Sequence, residues 1–408
     1  MLLVHYANRV LRWGRLTIVD ARGRRHVVGS GQGARATIRL HDRALHHRLA
    51  INPLLHIGEA YVEGTLTIED GTLFDFLDIC AANFEHATDH GPARTLGTLD
   101  RWLRYLHQYN PIARARANAA HHYDLSGALY DLFLDRDRQY SCAYFTGRHD
   151  DLDRAQLDKK RHIATKLLIE PGHRVLDIGS GWGGLAMHLA EAGAREVVGI
   201  TLAEEQLKVS RERAERAGLA GRVRFELRDY REQTGSFDRI VSVGMFEHVG
   251  VRHYRDFFAK IAELLSEDGV ALLHSIGRMD GPGSTSPWMR KYIFPGGYSP
   301  ALSEVLPAIE RLKLWVTDVE ILRLHYAETL RLWRRRFAAN RPRVAELYDE
   351  RFCRMWEFYL TASELAFRRM GHMVFQIQIA KRQDAVPLTR DYLVEGERAA
   401  FSAQIAAE

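Results

Sequence analysis

The chain has 408 residues, 46% hydrophobic and 27% charged with only 11 prolines, which excludes an intrinsically disordered chain and suggests two or three domains. No stretch approaches about 18 uncharged apolar residues, His5, Arg9 and Arg12 break up the apolar run a secretory signal would need, and three scattered cysteines (Cys80, Cys142, Cys353) suit a reducing cytoplasm. The formal charge is only +5, but residues 1–50 carry ten Arg against Asp20 and Asp42, and a second basic run holds Arg331, Arg334, Arg335, Arg336, Arg341 and Arg343; such patches either favour anionic surfaces, phospholipid or nucleic acid, or are solvated faces.

Residues 1 to about 105 read as a small domain. Leu16–Gly23 reads as a strand entering a turn, Ala36–Leu40 as a half-buried strand, Gly58–Asp70 as a turn and strand, and Leu73–Asn83 as a short helix. Residues 84–97 lack periodicity and read as a linker; Asp100–Gln108 reads as a helix leading into a His- and aromatic-rich segment, Ala119–Phe145. From about 150 strands alternate with helices. The strands are His173–Ile178, Glu196–Leu202, Val223–Asp229, Arg239–Val243 and Val270–Ile276; the helices are Asp151–Leu168, Gly183–Ala192, Ala203–Ala217 and Tyr254–Leu265. That alternation predicts an α/β fold with a parallel sheet flanked by helices, which binds ligands beyond the carboxyl ends of its strands. After a Gly/Pro/Ser-rich excursion over Gly277–Pro300, strands are expected at Trp315–Leu322 and Met373–Ile379, and helices between them could cap the site.

The central motif is Val175-Leu176-Asp177-Ile178-Gly179-Ser180-Gly181-Trp182-Gly183-Gly184, an apolar strand running into a glycine-rich turn and a helix. Gly179, Gly181 and Gly184 satisfy the dinucleotide pattern, which alone is a weak signal. The second strand, however, ends Gly199-Ile200-Thr201-Leu202 without the acid that a dinucleotide ribose wants, and Asp177 would repel a pyrophosphate. A ligand with a sulfonium and an ammonium group fits better, and that points to S-adenosylmethionine.

Several ordered stretches make the chain resemble the cyclopropane-fatty-acyl-phospholipid synthase family. They are His122-Tyr123-Asp124-Leu125-Ser126-Gly127, Leu132-Phe133-Leu134-Asp135, Tyr140-Ser141-Cys142-Ala143-Tyr144-Phe145, the glycine turn, Gly199–Leu202 with Gln206, Val243–Gly250 and Leu273-His274-Ser275-Ile276-Gly277. Ser126-Gly127 departs from the family's more usual Gly-Asn. The resemblance implies a class I methyltransferase (Rossmann-like), mostly parallel sheet over residues 106–408 with a helical acyl-chain cap, plus a small N-terminal lipid-associated domain over residues 1–105. It implies transfer of a methylene from S-adenosylmethionine to a cis double bond of a phospholipid acyl chain, closing a three-membered ring, with bound bicarbonate as the base. The alternative is a related lipid C-methyltransferase making a methyl or methylene branch. A small-molecule N-methyltransferase and a non-catalytic lipid-binding protein are further from the motifs. The implied partners are unsaturated membrane phospholipids and a transient anionic membrane surface, not nucleic acid; a homodimer is left open. The implied location is the cytoplasm, peripherally at the inner face of the membrane, and no metal is implied.

Alkylating an alkene leaves a cation that must be shielded from water and must then lose a proton to a positioned base. Glu247 can accept a proton from bicarbonate, His274 and Tyr326 can donate to it, the Ile276 carbonyl can accept, and by resemblance Cys142 completes the anion site. A carboxylate beside an anion becomes workable if the two share a proton. The blander readings make Glu247-His248 a helix-start pair, His274 a satisfied core histidine, Cys142 a small buried hydrophobe and Tyr326 a core aromatic. For the cofactor the resemblance points to Tyr140, Ser141, Gly179, Gly181, Gly183, Thr201, Leu202 and Gln206, beside the Asp177 already read from the strand end, with Asp229 and Tyr230 toward the adenine; Gln206 is the candidate for the ribose hydroxyls. The aromatic-rich helical stretch Phe352–Met370, with Phe358, Tyr359, Leu360, Leu365 and Phe367, reads more readily as core than as acyl tunnel.

Overall fold

A computed structural model describes residues 2–88, 126–147 and 151–405. The expected helix Asp100–Gln108 and the stretch His122–Leu125 lie outside the described residues. The chain packs as two compact units. The first takes Met1–His107, Gly283–Pro295 and Ala327–His372; the second takes Gln108–Pro282, Gly296–Tyr326 and Met373–Glu408. The helical residues 327–372, expected as a cap on the catalytic fold, therefore group with the N-terminal segment.

The first unit has a four-stranded sheet of β1 (Arg15–Val19), β2 (Arg25–Val28), β3 (Arg35–Leu40) and β4 (Leu66–Asp70), in the order β2-β1-β3-β4. β1 runs antiparallel to β2 and parallel to β3, and β3 runs antiparallel to β4. Two elements differ from expectation, and a third lies where none was read. Leu2–Val10 is a helix, burying Leu3, Ala7 and Val10 on one face. Residues 84–88, expected as linker, form a short helix. Pro53–Val62, whose latter half was expected as turn and strand, is a helix opened by Pro53, whose missing N–H is no loss in a first turn. Position 58 lies inside this helix and is glycine because a Cβ there would meet Trp288 Cδ1 at 2.5 Å and Phe358 Cε1 at 2.8 Å. It serves close packing, not a left-handed turn. The 20-residue helix Glu350–Arg369 packs on Leu73–Ala82 and Pro53–Val62, and Arg369 forms a two-point ion pair with Asp78 at 2.7 and 3.1 Å.

The second unit is built on seven strands: β5 (Arg174–Ile178), β6 (Glu196–Thr201), β7 (Val223–Leu227), β8 (Phe237–Val243), β9 (Leu265–Arg278), β10 (Trp315–Ile321) and β11 (His372–Ala380, all but its first residue in this unit). Their order is β10-β11-β9-β8-β5-β6-β7. The run β9-β8-β5-β6-β7 is parallel, and β10 and β11 pair antiparallel. Both faces of the central strands are buried, and period two sorts them. Val175, Val197, Val241 and Leu272 face one core, under the helices Leu152–Lys166, Gly184–Glu191 and Glu204–Arg216. Leu176, Val198, Ile240 and Leu273 face the other, under Tyr254–Leu264 and Leu302–Glu310. The chain returns between β5 and β8, so the segments that leave those two strands diverge and open a crevice at their carboxyl ends.

Candidate active site

The crevice holds two adjoining cavities. The larger is lined by the residues that follow four parallel strands: Gly179 and Gly181 after β5, Thr201 and Leu202 at the end of β6, Asp229 and Tyr230 beyond β7, and Val243 and Gly244 at the end of β8. Gln206 lines both cavities, and Tyr140, Ser141 and Asp177 line the smaller one. Ten of the eleven expected cofactor residues thus converge from four stretches of chain, 140–141, 177–181, 201–206 and 229–230. The eleventh, Gly183, lines neither cavity. It is the N-cap of the helix behind the turn, at φ +84°, where a Cβ would meet Phe225 Cζ at 2.7 Å.

The turn is held by Gly179 N–H and Ser180 N–H, both donating to Ile200 O at 2.9 Å. Gly181 adopts φ +54° and Gly244 φ +70°, and a Cβ on either would meet nothing within 4 Å. These glycines leave a concave wall for a ligand, which is the cradle an adenosyl group requires. Thr201 Oγ1 donates to Gln206 Oε1 at 3.0 Å, which leaves the Gln206 amide nitrogen as the donor on a residue lining both cavities. Asp229 is gripped by Arg231 at 2.7 Å through both carboxylate oxygens.

Asp177 is 1% exposed, its Oδ2 has no hydrogen-bond partner, and burial pushes its carboxyl up to about 7, with Lys159 pulling the other way. A cationic ligand in the smaller cavity would supply the missing partner. Lys159 was not singled out from the sequence. It is fully buried on the helix Leu152–Lys166 and donates to Gln139 Oε1 at 2.6 Å and Ser141 Oγ at 2.8 Å, so it fixes one wall of the smaller cavity. Burial lowers it to about 8, and its field reaches Asp135, Cys142, Asp177 and His274. Arg138 was also missed. It lines the same cavity at φ +52°, with its guanidinium 5.1 Å over the Trp182 ring.

None of the five expected catalytic residues lines either cavity; three of them form a cluster at the carboxyl ends of β8 and β9. His274 pairs in register with Val243 on β8, and His274 and Ile276 share a face of β9. The Ile276 N–H donates to Glu247 Oε1 at 2.7 Å, while Glu247 Oε2 is buried without a hydrogen-bond partner. Glu247 sits in the 3-10 turn Phe246–His248, and burial raises it to about 7 against the pull of the Ile276 N–H. Burial lowers His274 to about 3, so the ring is neutral. Gln376 Nε2 lies 3.1 Å from His274 Nδ1. An amide nitrogen only donates, so Nδ1 accepts and the ring proton sits on Nε2. The Ile276 carbonyl already accepts from Ser275 Oγ at 3.0 Å, and Cys142, buried, donates its thiol to Ala143 O at 3.3 Å. Tyr326 is buried at the start of the helix His325–Ala339, and neighbouring His325 accepts from Phe145 N–H at 2.9 Å, which ties that helix start to the Cys142 loop.

Residues 111–377 match the family model described as mycolic acid cyclopropane synthetase. The chain is 38% identical over 348 residues to the cyclopropane-fatty-acyl-phospholipid synthase of Escherichia coli K12, covering 85% of this chain and 88% of that protein. It is 36% identical to the tuberculostearic acid methyltransferase UfaA1 of Mycobacterium tuberculosis, covering 80% of this chain and 78% of that one. Among solved structures, the mycolic acid cyclopropane synthase CmaA1 complexed with SAH and CTAB is 34% identical with a TM-score of 0.62, covering 66% of this chain and 99% of that one. The seven-stranded sheet is that of the class I methyltransferases.

Proposed function

We propose that this chain, which belongs to the mycolic acid cyclopropane synthetase family, transfers a methylene from S-adenosylmethionine to a cis double bond of phospholipid-bound acyl chains, closing a cyclopropane ring. The observation that carries this reading is the cluster of Glu247, Ile276 and His274 at the carboxyl ends of β8 and β9. It is a carboxyl raised by burial, with an unpartnered oxygen, hydrogen-bonded to the Ile276 N–H two residues along β9 from the neutral His274. Closing the ring releases a proton from the added methyl, and this cluster offers a group to accept it.

S-adenosylmethionine supplies an electrophilic methyl carbon on a cationic sulfur when bound. Asp177 would face that positive charge and Gln206 would offer its amide to the ribose. Gly179, Gly181 and Gly244 admit the ligand's bulk, and Tyr140, Ser141, Thr201, Leu202, Asp229 and Tyr230 wall the rest. A bicarbonate ion would supply the base. Its holders would be Glu247 Oε2, His274 Nε2–H, the second lone pair of the Ile276 carbonyl, and Cys142 and Tyr326. Glu247 near 7 can take up a proton and release it again without a large free-energy step. The low value of His274 keeps its imidazole a neutral donor and avoids a second cation beside the one developing on the acyl chain.

The first unit supports a lipid-facing role for the N-terminal segment. Arg9, Arg12, Arg15, Arg22, Arg35, Arg43 and Arg48 are exposed and make no ion pair among the described residues, and Leu2, Val27, Ile51 and Leu54 are exposed apolar side chains on the same unit. Among the described residues no helix is long and apolar enough to cross a membrane. We assign peripheral association with an anionic membrane surface to this unit.

Expression in a host rich in cis-unsaturated lipids tests the reading. The expected product is lipid heavier by one CH2 with its vinyl signal gone. The relation to a tuberculostearic acid methyltransferase supports a second reading, a methyl- or methylene-branched chain; the same mass gain with a methylene branch or a retained double bond and no ring, or a further gain of two hydrogens with a saturated methyl branch, would establish that one instead.

A further inference from the structure

We propose that the C-terminal helix Asp391–Ile405 is a positioning element of the active site, acting through a stacked column of His162, Tyr144 and His325 that holds the Cys142 loop and the start of the Tyr326 helix. The proposal rests on the catalytic assignment of Cys142 and Tyr326 made above.

The helix is seated closely on the second unit. A Cβ on Gly396 would lie 2.6 Å from Thr165 Cγ2, so glycine is what lets the helix approach Leu152–Lys166. Tyr392 Oη accepts from Gln378 Nε2 at 2.9 Å, and Arg390, just ahead of the helix, pairs with Asp318 at 2.9 Å. The helix then delivers one group to the interior. Glu397 Oε1 lies 2.6 Å from His162 Nδ1, and Glu320 Oε2 on β10 lies 2.7 Å from His162 Nε2. With a carboxylate on each ring nitrogen both must carry hydrogen, so His162 is an imidazolium although it is only 3% exposed.

The ring of Tyr144 stacks on His162 at a centroid distance of 4.1 Å and 9°, and on His325 at 5.0 Å and 7°. Two rings parallel to one phenol cannot share a face, so Tyr144 is sandwiched. A cation on the π-face strengthens such a stack. Tyr144 N–H donates to Ala155 O at 3.1 Å, and His325 Nδ1 accepts from Phe145 N–H at 2.9 Å. The column therefore pins the chain two residues after Cys142 to the residue before Tyr326. The groups that act on His162 are Glu320 from β10, Glu397 from the C-terminal helix and Lys166 from its own helix, with Tyr144 stacked on it and His274 and His325 within its field; Asp318 joins through Lys166, and Arg390 through Asp318. Three carboxylates thus meet Lys166, Arg390 and protonated His162, and loss of the His162 proton leaves an unbalanced negative charge. Burial pulls His162 down, but Glu320 and Glu397 outweigh it and hold its pKa above the ordinary value. The column is accordingly intact below that raised value and fails as pH rises through it.

The test compares Glu397→Gln, Glu397→Asp and Gly396→Val in the full-length protein. Glu397→Gln should lower kcat on cis-unsaturated phospholipid vesicles at least tenfold, with the S-adenosylmethionine dissociation constant within about twofold of wild type. The alkaline limb of its kcat profile should move to lower pH, and Glu397→Asp should restore both. Gly396→Val, which unseats the helix without altering a charge, should reproduce the kcat loss. Alkylation of Cys142, read by peptide mass spectrometry, should quicken tenfold in Glu397→Gln and in Gly396→Val, and this readout needs no lipid turnover. Wild-type kcat, pH profile and Cys142 labelling in both variants would overturn the proposal. Parallel loss of S-adenosylmethionine binding and kcat, unrelieved by aspartate, would also overturn it, as a merely structural helix. A wild-type protein inert toward unsaturated lipid would instead sink the proposed reaction, and the labelling result would still decide the column.

Discussion

A carboxyl as deeply set as that of Glu247 is easier to keep protonated than charged, and the fold holds it near 7, well above the unfolded value of about 4.3. Its neutral form therefore contributes stability at low pH that is lost as pH rises through 7. Glu247→Gln removes that titration and keeps an oxygen to accept the Ile276 N–H. Thermal unfolding at pH 8 should show the variant more stable than wild type by on the order of 3 kcal/mol, with most of the difference gone by pH 5. Turnover should fall by about 10²–10⁴, while calorimetric S-adenosylmethionine affinity stays within about twofold; equal loss of both would assign Glu247 to structure. Asp177 gives the companion case. Its carboxyl is also raised to about 7, so affinity for a cationic ligand should increase with pH through that value. Asp177→Asn should weaken binding by roughly tenfold at pH 8 and flatten the dependence; an unchanged slope would remove Asp177 from the site. Both residues were legible in the sequence because each sits inside a motif whose local form dictates its place. Lys159 and His162 were not. They lie in a stretch that reads as a charged amphipathic helix, and only the packed sheet shows that its Lys159, His162 and Lys166 face inward.

At the level of elements, the strands around the crevice were readable because they are buried on both faces and therefore appear as short apolar runs between helices. The β5-to-helix turn was readable because its glycines are needed for conformation. Gly58 misled for the opposite reason, since its neighbourhood looks like a turn while the residue is a packing gap inside a helix. Gly58→Ala should accordingly lower stability by about 1–3 kcal/mol through the clash with Trp288 and Phe358. Gly221→Ala, where a Cβ meets nothing within 4 Å and φ is not positive, should be neutral or slightly stabilising. Denaturant midpoints of the two variants measure the contrast; equal midpoints would mean that the helix Pro53–Val62 tolerates a methyl by shifting.

For the whole molecule, the two basic regions that look alike in the sequence have different fates. In the second, Arg331 pairs with Glu328, Arg334 with Glu364, and Arg341 with both Glu350 and Glu357, all within the first unit. Three of its six arginines are thus tied to acids of the same unit. In the N-terminal segment Arg24 pairs with Asp20, and Arg25 and Arg39 with Glu69, but seven other arginines are exposed without an ion pair among the described residues. Anionic lipid attracts each basic side chain near its surface by about 1 kcal/mol, or roughly fivefold in binding. Replacing Arg9, Arg12, Arg43 and Arg48 together by Gln should therefore cut binding to vesicles containing anionic phospholipid by two to three orders of magnitude, about 10²–10³, with little effect on zwitterionic vesicles. Replacing Arg331, Arg334 and Arg341 should instead lower the unfolding midpoint and leave vesicle binding nearly unchanged. Cosedimentation across a salt series separates the two. Wild-type binding should weaken steeply as the Debye length falls toward 8 Å near physiological salt. Retention that ignores salt, or loss that follows the second set of arginines, would take the headgroup contact away from the N-terminal segment.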